Sequence, residues 1–386
     1  MEINMEFLKL LEGIRTPFLD WFFSLITYLG DEVVFMVVAI AIFWCINKRE
    51  GYYVLTVGLV GTMVNQLLKL FFRVPRPWIK DASFKPVESA VERASGYSFP
   101  SGHTQNIGGT FGSIALFARK WLGRVLCALI IILVAFSRMY LGVHTPLDVL
   151  VSLGIAAALV AAFYPIFKSE ERFERFMPFV VAGAMLLCLL YILYFPIFGA
   201  SAGHNPTNLE SGMKAAYTMA GCTIGLAIVY FVDSTFVKFD THATWYVQLI
   251  KIAVGLGVIL GIKEGLRAPL EFICIGNVYV ARMLRYLLMV IFAGILWPMC
   301  FKYLAKIKCK PLDNFALWAK NLFKKGDTPP EVEPVGAFAE EAERTKDNSR
   351  TLIRDRLRDE GSTPHTDKRR KPSWRSRNKK NKKRYK

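Results

Sequence analysis

Paired cysteine spacing is absent from this sequence. Its seven cysteines, at positions 45, 127, 188, 222, 274, 300 and 309, form no CxxC and are odd in number. A disulfide framework or zinc site is therefore not expected, and the cysteines read as small apolar side chains. No HExxH or comparable metal-ligand spacing occurs, so chemistry without a metal or other cofactor is expected. No cleavable signal peptide is legible, because Lys9, Glu12, Arg15 and Asp20 interrupt residues 1–30 before any clean apolar run. Lys and Arg are missing from the stretches 142–145 and 199–211.

What is abundant is apolar surface. Of 386 residues 53% are hydrophobic, and the mean hydropathy is +0.31, values suited to an all-α, polytopic membrane bundle. Runs long enough to cross a bilayer predict nine spans, near 31–47, 51–72, 104–119, 124–141, 146–168, 177–198, 212–234, 244–266 and 279–305. Residues 17–30 are apolar but too short to cross alone, so 1–30 reads as an interfacial or re-entrant start. The expected organisation is 31–170 as a catalytic bundle, 171–305 as a further four-span region and 306–386 as a basic, mostly disordered tail.

The net charge of +18 is concentrated in that tail, where Lys368–Lys386 carries twelve Lys or Arg and no acid. Beside so many apolar spans, anionic lipid headgroups are a simpler partner for it than nucleic acid, which is not expected. Orientation follows from basic loops. Lys48, Arg49, Arg119, Lys120, Arg124, Lys168, Arg172, Arg175 and Lys238 fall on the tail's side, which is read as cytoplasmic. The loop 73–103 then lies outside, although it holds Arg73, Arg76, Lys80, Lys85 and Arg93. An anion-binding site explains that exception.

Three clusters carry chemistry. Lys69 and Arg76-Pro77 are spaced K-x6-R-P; Pro100-Ser101-Gly102-His103 precedes the span at 104; Ser137-Arg138, His144 and Asp148 are spaced S-R-x5-H-x3-D. Taken singly, each has a bland reading: a snorkelling lysine, a helix-capping turn, a charged hairpin. All three nevertheless fall at the same ends of their spans, and two of only five histidines lie in them. A phosphoryl group in transfer needs several fixed cations. Lys69, Arg76 and Arg138 supply them, and Ser101 with the Gly102 N–H adds donors at a helix start. His144 and Asp148, four apart, suit a nucleophile with its orienting carboxylate on one helical face. His103 suits the acid that protonates the leaving oxygen.

In this order the clusters resemble the three-part signature of the type 2 phosphatidic acid phosphatase family, which shares its site with vanadium haloperoxidases and glucose-6-phosphatase. The resemblance covers about residues 31–168. It implies a helical bundle in which Lys69, Arg76, Ser101, Gly102, His103 and Arg138 hold or protonate the phosphate. It further implies that His144 forms a phosphohistidine, supported by Asp148. The expected function is hydrolysis of lipid phosphates or diphosphates at the extracytoplasmic face of the plasma membrane, with phosphatidic acid relatives and polyprenyl diphosphates as candidates. A soluble sugar phosphate is an alternative substrate, and a headgroup-recognising lipid transporter without turnover is an alternative class. Lys263, Glu264, Arg267, Arg282 and Arg285 read either as helix-end snorkelling and internal ion pairs or as a headgroup pocket beside the bundle.

Overall fold

The computed structural model describes residues 2–315 and 318, except 93 and 200–202. The chain folds as α1 (Glu2–Gly13), α2 (Pro17–Thr27), α3 (Glu32–Ala41) and α4 (Lys48–Phe72), followed by the single turns α5 (Pro77–Lys80) and α6 (Glu88–Val91). Next come α7 (Gly102–Phe117), α8 (Trp121–Tyr140), α9 (Pro146–Phe167) and α10 (Glu170–Phe198). The series continues with α11 (Pro206–Val232), α12 (Trp245–Gly265), α13 (Arg267–Ile273) and α14 (Val278–Ile291), with no strand among the described residues.

All nine expected apolar segments are helical, but fewer qualify as spans. Among the described residues seven helices are long and apolar enough to cross a membrane, or eight if the bent pair Pro17–Gly30 and Glu32–Ile46 counts as one. That pair meets at 50°. The expected first span is thus the second arm of a broken helix, and the segment thought too short to cross is its first arm. The other shortfall is α7, whose 16 residues reach only about 24 Å, short of the roughly 30 Å hydrocarbon layer.

Local chemistry sets the boundaries. Asn47 starts α4 by accepting from the Arg49 and Glu50 N–H groups at 3.0 and 3.2 Å. The helix stops at Arg73, whose φ of 52° leaves the right-handed region. Ser169 caps α10 by accepting from Arg172 N at 3.4 Å. The helix therefore begins seven residues before the expected 177, and Arg172 and Arg175 lie in it rather than in a loop.

α4 is central, packing on α3, α7, α9, α10 and α11. α11 and α14 approach closely because Gly221 faces the Met283 backbone and Gly225 faces Val290. At the far end from Lys69, Trp44, Tyr52, Phe167, Phe239 and Phe301 form an aromatic core. Trp44 Nε1 donates to Ala293 O there at 2.8 Å. Residues Met1–Cys309 form one compact unit. Of the expected basic tail, residues 319–386 lie outside the described residues.

Candidate active site

The end of α4, the start of α7 and the α8–α9 turn meet at one end of the bundle. Arg76 is 4% exposed and its guanidinium is almost fully used. Nη1 donates to Val143 O at 2.9 Å and lies 3.0 Å from His144 Nε2; Nη2 donates to Ser95 O at 2.8 Å and Nε to Gly96 O at 3.2 Å. Arg76 therefore clamps the loop before α7 to the turn before α9. Lys69, in the last turn of α4, is buried and donates to Tyr97 O at 2.5 Å.

His144 sits in the turn, held by its own N–H donating to Arg138 O at 3.3 Å. Gly142 makes this turn possible, with φ 76° and no room for a Cβ against Phe84 and Arg15. Arg76 is always a donor, so the Nε2 facing it carries the lone pair and Nδ1 carries the proton. Nδ1 lies 3.5 Å from Asp148 Oδ2, close enough for an ion pair and long for a hydrogen bond. His144 and Asp148 do meet, but not as neighbours on a helix. Thr145 is the N-cap of α9, and Asp148 is the third residue of a capping box. Asp148 Oδ2 accepts from Thr145 N at 2.8 Å while Thr145 Oγ1 accepts from Asp148 N at 3.3 Å. The same Oδ2 accepts from Ser98 Oγ at 2.6 Å. Burial drives the His144 imidazole well below its ordinary pKa, and the Arg76 charge lowers it further.

Ser101 caps α7, accepting from Thr104 Oγ1 at 2.9 Å and more weakly from Thr104 N at 3.4 Å, and its own N–H donates to Asp148 O at 3.2 Å. Gly102 and His103 follow in the first turn. His103 Nε2 lies 2.8 Å from Asp31 Oδ1. Arg138 is 1% exposed, and its Nη1 donates to Thr27 Oγ1 at 2.6 Å. All eight residues singled out from the sequence are thus at this end of the bundle. Several buried polar atoms around them lack a hydrogen bond: Arg138 Nε and both amide atoms of Asn65. Such atoms are costly unless something polar completes them.

Sequence reasoning missed Thr27, Asp31, Asn65 and Ser98. Asn65 had a signal, since it sits one turn before Lys69 in an otherwise apolar helix. Asp31 had a weaker one, as an acid at a helix start.

The PAP2 superfamily profile matches residues 49–172. A second profile, the PAP2 superfamily phosphatase transmembrane extension, matches 217–309. Undecaprenyl-diphosphatase BcrC of Bacillus subtilis is 30% identical over 185 residues, covering 46% of this chain and 90% of that protein. This chain belongs to the PAP2 superfamily. Sphingosine-1-phosphate phosphatase 1 of Mus musculus is 27% identical over 222 residues, 54% of this chain. This PAP2 chain spans about half of that relative's length (50%). A transmembrane PAP2-type phosphatidylglycerolphosphate phosphatase from Bacillus subtilis, solved by crystallography, shares 29% identity over 42% of this chain and 84% of its own, with a TM-score of 0.36. In this PAP2 chain the first profile runs from α4 to the start of α10, so it contains all eight residues but neither Thr27 nor Asp31.

Proposed function

We propose that the protein is a membrane phosphatase that hydrolyses lipid phosphate esters through a phosphohistidine on His144. The observation that carries this reading is the imidazole itself, with its lone-pair nitrogen turned to Arg76 and its protonated nitrogen turned to Asp148. That is the arrangement a nitrogen nucleophile requires. An incoming phosphate competes for Arg76, releasing the Nε2 lone pair that Arg76 otherwise occupies. Lys69, Arg76 and Arg138 then neutralise the equatorial oxygens, and the Gly102 and His103 N–H groups face the anion at the start of α7. Nε2 forms a bond to phosphorus as the ester P–O bond breaks, and protonated His103 gives its proton to the leaving oxygen. Asp31 supports the imidazolium of His103. In the second half, water attacks phosphorus, His103 takes a proton from it, and inorganic phosphate leaves as His144 is regenerated.

The relatives named above act on diphosphate and phosphate lipids, which favours a lipid over a sugar ester. The basic loops favour an extracytoplasmic site in the plasma membrane, and the basic tail suits anionic headgroups on the other face. The experiment is phosphate release by purified full-length protein in detergent, without added metal. Substrates are phosphatidic acid, sphingosine-1-phosphate, a polyprenyl diphosphate and glucose 6-phosphate. Turnover of at least one lipid, lost in His144→Ala, is expected. Release from none, or full activity in the variant, overturns the reading.

A further inference from the structure

Tyr97 is held at both ends. Its carbonyl accepts from Lys69 Nζ at 2.5 Å, and its hydroxyl lies 3.2 Å from His204 Nδ1. The other ring nitrogen, His204 Nε2, lies 2.9 Å from the Tyr194 hydroxyl, which donates to Leu70 O at 3.0 Å. Leu70 follows Lys69 in the chain, so the bonds close a circuit through Lys69, Tyr97, His204, Tyr194 and Leu70. Leu70 O is free to accept because α4 stops at Phe72 and leaves its last carbonyls without helical partners.

The circuit encloses the loop on which the other site residues depend. Ser95 and Gly96 accept from Arg76, and Ser98 donates to Asp148. Tyr194 and His204 come from a different part of the chain, the last turn of α10 and the segment before α11. They lie between the two profile matches, which end at 172 and begin at 217.

The protons in the circuit have one consistent order. The Leu70 carbonyl can only accept, so the Tyr194 proton goes there and the Tyr194 oxygen accepts from His204 Nε2–H. In the neutral ring Nδ1 then carries the lone pair and accepts from the Tyr97 hydroxyl. Asn205 N–H donates to that same hydroxyl oxygen at 3.3 Å, so the bonds run one way from Asn205 to Leu70 and reinforce one another. A proton on Nδ1 would reverse the middle link and turn the Tyr97 hydroxyl proton away. Burial, and the positive charge of Arg73 at the end of α4, hold the His204 pKa below its ordinary value. The neutral order is therefore the one present at neutral pH.

We propose that His204 is a positioning residue: its neutral ring fixes Tyr97, and the Tyr97 carbonyl sets where the Lys69 ammonium meets a phosphate. A lysine ammonium on its flexible four-carbon stem has no direction of its own, so an acceptor that is itself fixed decides where the charge stands. The inference rests on the phosphatase reading for the ligand of Lys69, but not for the circuit.

The test is calorimetric binding of inorganic phosphate to the full-length protein in detergent, which needs no turnover. At about pH 7.5, His204→Leu should weaken binding about fivefold, the size of one neutral hydrogen bond. Tyr97→Phe should do the same, and the double variant should be no weaker than either, since both remove one link. His204→Asn places an amide oxygen near the position of Nδ1 and cannot be protonated, so it should bind within about twofold of wild type. Between about pH 7.5 and about pH 5 the wild type should lose affinity relative to His204→Asn, because only the wild type gains the Nδ1 proton. The other histidines are common to both proteins and cancel in that ratio. If His204→Leu does not elute as native protein, Tyr97→Phe and the pH ratio carry the test. Wild-type affinity in both His204→Leu and Tyr97→Phe, or a ratio flat with pH, overturns the proposal. Ester hydrolysis is measured separately. The expected phosphate pattern without hydrolysis leaves the positioning role standing and removes the phosphatase reading; hydrolysis lost in His144→Ala but phosphate binding indifferent to His204 does the opposite. A wild type that binds no phosphate overturns both.

Discussion

Arg76 Nη1 lies 3.0 Å from His144 Nε2, so the nitrogen proposed as nucleophile is occupied by the cation proposed to bind substrate. His144→Ala should cut turnover by roughly 10³-fold or more, as for other nucleophile deletions, while elution and helicity stay native. Acid quench of wild type with ³²P-labelled lipid should trap an acid-labile phosphoenzyme that the variant lacks. Substantial residual turnover in the variant would remove His144 from the mechanism.

Leaving-group dependence separates the two histidines. His103→Ala should slow hydrolysis of an alkyl phosphate far more than that of p-nitrophenyl phosphate, whose phenolate departs without a proton. The difference should be on the order of 10²-fold, the usual range for acid catalysis. Asp31→Asn should show the same pattern more weakly. Equal losses on both esters would assign His103 to binding instead.

Stability should fall in acid. The His144 pKa is depressed in the folded protein, so below the unfolded value of about 6.5 the unfolded chain binds more protons. Stability present above that value is lost as pH drops through it. The melting temperature should decline from about pH 7.5 to about pH 5.5, and His144→Asn should flatten the decline. An unchanged slope in the variant would assign the acid sensitivity to other groups.

Topology is tested with a cysteine at each of two serines, in a background with Cys300→Ser because Cys300 is exposed. Ser83→Cys should react with a membrane-impermeant thiol reagent in intact cells, and Ser169→Cys should be protected. The reverse pattern would invert the orientation and assign the enzyme to cytoplasmic-leaflet lipids.

Deletion of residues 325–386 should leave turnover in detergent nearly unchanged. It should weaken binding to vesicles containing phosphatidylserine, since each Lys or Arg near an anionic surface is worth about 1 kcal/mol. Loss of detergent activity would tie the tail to the catalytic unit.

The helices, and the gathering of the eight singled-out residues at one end of the bundle, were legible because apolar runs and fixed spacings are properties of the chain alone. Their partners were not. Thr27 and Asp31 reach Arg138 and His103 only because the helix 17–46 breaks at Tyr28–Gly30, and nothing local in an apolar segment announces where it will bend. The spacing of His144 and Asp148 suggested a shared helical face, whereas a threonine between them caps the helix and turns the carboxylate back.

Asp148 closes the first turn of α9 and faces the imidazole with the same oxygen. Fraying of that single turn would free the ring to rotate while leaving the other helices intact. Heat or detergent should therefore silence the enzyme before circular dichroism records any loss of helix, and a ligand that fills the phosphate site should delay that silencing.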